Sequence, residues 1–106
     1  MLENIYLWVV YLSVVVVNDV LSKEMLKQVH SRIAMNIRRK RKVRNMSQMR
    51  LAMEMGHKSV GLVSFAESGT NNKHFNIEHL ATIAKILDIP IITLFEGVDQ
   101  ILKKSD

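Results

Sequence analysis

The chain has 106 residues, 48% apolar and 24% charged, a balance that supports one globular domain and excludes a disordered polyelectrolyte. The absence of cysteine removes disulfides, thiolate metal sites and cysteine nucleophiles, and ten carboxylates with four histidines show no paired spacing for catalysis. A net charge of +5 points instead to a polyanionic partner, so the composition favours a small basic binding module over an enzyme.

The chain opens on an uncharged run, IYLWVVYLSVVVV, at residues 5–17. These thirteen residues fall short of the roughly 20 apolar positions a membrane-spanning helix needs. Extending the run over residues 1–21 brings in Glu3, Asn4, Asn18 and Asp19, which suit a bilayer core poorly. A secretory signal is disfavoured by Glu3 near the start and by the lack of a small-x-small cleavage site. The Val and aromatic content predicts a β-strand that wants a partner. Dimer strand pairing, a membrane tether, packing on the domain, and a true start at Met25 with residues 1–24 an over-extended reading frame all fit this segment. Residues 1–24 therefore stand apart as an apolar extension.

From Met25 to Met53 nine basic residues (Lys27, Arg32, Arg38, Arg39, Lys40, Arg41, Lys42, Arg44 and Arg50) occur with no acidic one. Clustered charge of one sign sets up a far stronger local field than the average implies. Short helices separated by turns are predicted from here on. The first runs from about Asn18 to Arg44, with Asn45 as a left-handed terminator. Ser47 is an N-cap for a helix carrying Leu51, Ala52 and Met55, stopped by Gly56. Ser59 caps a third helix through about Ala66, ended at Ser68–Gly69. The polar loop TNNKHF leads to Asn76, which caps a helix with Leu80, Ile83, Ala84 and Leu87 on its apolar face. Pro90 opens a last short helix with Leu94 and Phe95, closed by Gly97. Met46, Met49, Met53 and Met55 read as core and gap-filling residues. The predicted fold is all-α and compact, with five helices. The domain spans residues 25–97 and a tail follows at 98–106.

Four ordered pieces then stand out: NIRRKRKVRNMSQMRLAMEMG, SVGLVSFAESG, FNIEHLATIAKILDI and PIITLFEG. Together they resemble the Xre family, the helix-turn-helix DNA-binding domain of lambdoid phage repressors and Cro, over residues 33–97. The family pattern is a basic first helix, an SQ-x-x-LA second helix closing on Gly, an I-S-x-x-E-x-G third helix and an L-x-x-IA-x-x-L fourth. The resemblance implies a lambda-repressor-like domain that places its third helix in a DNA major groove. Two helices joined by so short a turn cross at a large angle, leaving the second free to protrude. Leu51, Ala52, Met55, Val63 and Ala66 are the expected contacts holding that angle.

The resemblance assigns Gln48, at a helix N-terminus where phosphate is favoured, to a DNA backbone contact. Arg50 opposes the helix dipole in the same turn, a conflict that a nearby phosphate would remove. Arg41 and Glu67 occupy positions where the family places a bidentate pair fixing the recognition helix to the scaffold. In the third helix the chain departs from the family, presenting Val60, Gly61, Leu62 and Phe65 where polar base readers are usual. Ser64 and the preceding His57, Lys58 and Ser59 supply the remaining hydrogen-bonding groups. Reading of thymine methyls by Val60, Leu62 and Phe65, reliance on DNA shape, and use of this face for a protein all remain open. Asn71 and Lys73, in the loop after that helix, are candidate phosphate contacts. His30, His57, His74 and His79 show no metal-ligand spacing.

The residues thus point to a cytoplasmic, non-enzymatic regulator that binds double-stranded DNA as a homodimer on a two-fold operator, with no cofactor and no metal. Phage repressor, restriction–modification controller and antitoxin are the compatible types. The competing class is a protein-interaction module on the same fold, with a toxin or polymerase as partner, tethered to a membrane through residues 1–21.

Overall fold

The computed structural model describes Ile5, Leu7, residues 20–56 and residues 60–103. The described residues from Lys23 onward form an all-α fold. Helix α1 spans Lys23–Val43, α2 Gln48–Met55, α3 Val60–Ser68, α4 Ile77–Leu87 and α5 Val98–Leu102, with 3₁₀ turns at Thr70–Asn72 and Ile91–Phe95. Among the described residues there is no strand, and no helix is long and apolar enough to cross a membrane.

Local chemistry sets the boundaries. The Ser22 hydroxyl accepts the Met25 N–H at 3.0 Å to start α1, with Glu24 at its positive end and Lys40, Arg41 and Lys42 at its negative end. Asn45, at φ 55°, turns the chain out of α1. Ser47 accepts the Arg50 N–H at 3.0 Å and opens α2. Asn76 and His79 cap α4 reciprocally: Asn76 Oδ1 accepts the His79 N–H at 2.8 Å, and His79 Nδ1 accepts the Asn76 N–H at 3.0 Å. Gly69, at φ 73°, ends α3 in a conformation that a side chain would resist.

The core gathers one face of every helix. Ile37 of α1, Leu51 and Ala52 of α2, Val63 of α3, Ile83 and Leu87 of α4 and Leu94 of the second turn are fully buried. Each of the larger side chains contributes about 1.5–3 kcal/mol by leaving water. Asn36 is buried among them. Its Nδ2 donates to the carbonyls of Leu94 at 2.9 Å and Glu96 at 2.8 Å, tying α1 to the turn after α4.

Three expectations change. Ile5 and Leu7 have helical backbone, contrary to the strand predicted across 5–17. An uncharged run without periodicity does not choose between helix and strand. The rest of that segment, with the strand pairing it implied, lies outside the described residues. Residues 98–102, expected as part of a tail, form α5, which packs on α1 and buries Val98. Met46 and Met55 pack against the core, but Met49 and Met53 are 62% and 57% exposed and fill no gap. Neighbouring apolar positions on a short helix cannot all share its one buried stripe.

Candidate nucleic-acid interface

The densest polar construction in the fold lies where α1, α2 and α3 meet. Arg41, on the buried face of α1, donates from Nε to Glu67 Oε2 and from Nη2 to Glu67 Oε1, both at 2.9 Å. Its remaining Nη1 donates to the Met46 carbonyl at 2.8 Å, in the turn leading to α2. Gln48 Nε2, at the first position of α2, donates to the same Glu67 Oε1 at 2.9 Å. The carboxylate of Glu67 thus collects three donors from two helices. The side chains of Arg41 and Glu67 are only 7% and 2% exposed, so water competes little for these bonds.

This clamp changes the part Gln48 can play. Its side-chain amide is turned inward onto Glu67, so an anion at the start of α2 would meet the main-chain N–H groups of Gln48 and Met49. Arg50, on the same turn, is 68% exposed, and its Nε lies 3.7 Å from Glu54 on the following turn. An exposed pair at that distance leaves the guanidinium available.

Helix α3 packs against α1 and α2 through Val63, Ala66 and Glu67. Leu62 turns the same way: it is half-buried and packed against the core, which corrects its expected place on the open face. The open face consists of Val60, Gly61, Ser64, Phe65 and Ser68. The Phe65 ring lies along the helix over Gly61, 3.6 Å from where a Cβ there would sit. Gly61 thereby lets the ring lie flat and stay 40% exposed. Ser68 Oγ donates to the Ser64 and Phe65 carbonyls and meets Thr70 Oγ1 at 2.6 Å, continuing the face into the following turn. Asn71, in the left-handed region at φ 56°, and Lys73 are exposed on that turn. His57, Lys58 and Ser59 lie outside the described residues.

The fold also assembles what the sequence did not announce. His30 of α1 and His74 of the loop after Thr70–Asn72 stack with ring centroids 3.8 Å apart and planes 21° from parallel. They border a cleft of about 600 Å³ between the first turns of α1 and that loop. The 44 positions separating the two histidines hide this pairing from any reading by local spacing. No group of three or more metal-ligating side chains converges among the described residues. No protein-family model, no curated protein sequence and no solved structure matches the chain.

Proposed function

We propose that the chain is a DNA-binding transcriptional regulator of the helix-turn-helix kind, acting as a homodimer on a two-fold site in the cytoplasm without catalysis or cofactor. The observation that carries this reading is the open face of α3, held rigid from behind by the Arg41–Glu67–Gln48 clamp. A major groove admits one such helix. The free N–H groups opening α2, Arg50 beside them, and Asn71 and Lys73 beyond α3 flank that face as backbone contacts on either side. The resemblance to lambdoid repressors and Cro supports the same placement. Val60, Phe65 and the Ser64 hydroxyl then suit thymine methyls and a single hydrogen bond. Most of the affinity comes from the phosphate backbone.

Selection of bound sequences from random duplex DNA tests binding and specificity together. Enrichment of a two-fold motif with half-sites about 34 Å apart is the expected result. Binding that is absent at low salt removes the proposal. The exposed Val60 and Phe65 favour one alternative, a protein partner such as a toxin or polymerase on the same face. That reading predicts binding indifferent to duplex DNA and lost in Phe65→Ser.

A further inference from the structure

We propose that the cleft between α1 and the loop after α3 is a phosphate site that takes up a proton on the His30–His74 pair as it fills. Two imidazoles from distant elements form its rim, stacked face to face at 3.8 Å. Lys23 and Lys27 line it from α1, and Lys73 lines it from the loop. Two carboxylates border the same space. Glu67 is already engaged by Arg41 and Gln48, which leaves Glu24 against three lysines. Lys27 sits three residues before His30, hence beside it on the helix surface. Glu24 can offset only one of the three lysines, so the cleft carries a cationic excess.

The stack makes this charge conditional. Two imidazolium rings at such a separation repel, and burial disfavours the charged ring as well. His30 is accordingly held below the ordinary histidine range, first by burial and then by the charge of His74. A phosphate between the lysines offsets both costs: it adds counter-charge beside the rings and accepts hydrogen bonds from the ring N–H groups. Occupation of the cleft and protonation of the pair therefore favour each other. Affinity should rise as the pH falls through the interval between the His30 midpoints of the empty and filled states, then level off below the lower one.

The cleft meets the open face of α3 at Ser68 and shares Lys73 with the residues assigned to flank that face, so a DNA backbone phosphate is the expected source. That choice of source rests on the DNA-binding reading; the chemistry of the cleft does not, since a free phosphate ester would fit equally. The test follows the His30 and His74 imidazole signals by NMR in the full chain, alone, with inorganic phosphate and with random-sequence duplex DNA. Duplex affinity is measured in parallel between about pH 6 and pH 8 for wild type and His30→Gln. The expected result is an upward shift of the His30 midpoint with phosphate or duplex. Affinity should gain as much as about tenfold per pH unit in the coupled interval. His30→Gln, which removes the ring whose midpoint moves, should lose most of that dependence while melting as wild type does at about pH 8. A His30 midpoint that neither probe moves overturns the proposal. So does a pH dependence that survives unchanged in His30→Gln, although DNA binding itself would then stand. A His30 midpoint raised by phosphate in a chain that binds no duplex supports the cleft as a site for a free phosphate ester and removes the DNA reading.

Discussion

Three donors converge on the Glu67 carboxylate, which water barely reaches. Removing one member strands the others in a low-dielectric pocket. Glu67→Ala should therefore cost about 3–5 kcal/mol in denaturant unfolding, a large part of the stability of a domain this size. Replacing both partners, Arg41→Met with Glu67→Leu, should recover most of that loss, since an apolar pair avoids the desolvation of two charges. A double mutant no more stable than Glu67→Ala would show that the clamp stabilises the domain beyond satisfying its own buried charges. His30 gives a second residue-scale expectation, for the ligand-free chain. Its midpoint is lowered on folding, so the unfolded chain binds more protons wherever the two midpoints bracket the pH. Stability contributed by the neutral ring is complete above the ordinary histidine value of 6.5 and declines as the pH falls toward the folded midpoint. Melting temperature should thus drop on acidification in wild type and drop less in His30→Gln.

Ala52 of α2 has no exposed surface and belongs to the core that α2 shares with α3 and its neighbours. Ala52→Leu should destabilise by about 1–3 kcal/mol through overpacking and should disturb the packing of α2 on its neighbours, weakening DNA binding with it. Unchanged melting and binding would mean that the core has slack around this position. At the scale of elements much of the fold was legible beforehand, because its signals are local. Ser47 and Asn76 mark helix starts through their own side-chain bonds, and Asn45 and Gly69 mark stops through their own backbone angles. The Asn36 clamp was not legible, since its acceptors lie 58 and 60 positions away and are main-chain carbonyls, which carry no sequence signature. The same holds for the His30–His74 stack. Leu62 and the exposed Met49 and Met53 were misjudged for another reason: apolarity indicates a wish to be buried, while helix phase decides which residues succeed. The Arg41–Glu67 pairing was available only through the resemblance to lambdoid repressors, as nothing in the spacing of two residues 26 apart implies contact.

For the molecule as a whole, folding decides how much of the basic stretch is presented outward. Arg41 is consumed inside the clamp, Lys40 reaches Glu96 at 3.3 Å, and the Arg32 guanidinium packs over Gly97. Lys27, Arg38, Arg39, Lys42 and Arg44 form no ion pair with another described residue. A duplex would meet a long-range positive field from these side chains, together with close contacts from a smaller set near α3. Salt separates the two contributions. Each cation seated on a phosphate adds about one unit to the slope of log affinity against log salt, whereas a distant cation adds little beyond the Debye length of about 10 Å at 0.1 M salt. Arg39 lies roughly half a turn around α1 from Arg41, on the side away from α3, where it contacts Met35 Sδ at 3.6 Å. Arg50→Ala and Lys73→Ala should therefore each flatten the slope by about one unit and weaken cognate and random duplexes alike. Arg39→Ala should leave the slope unchanged although it removes the same formal charge. Equal flattening by all three would show that net charge alone drives binding, and would take away the assigned docking of α3.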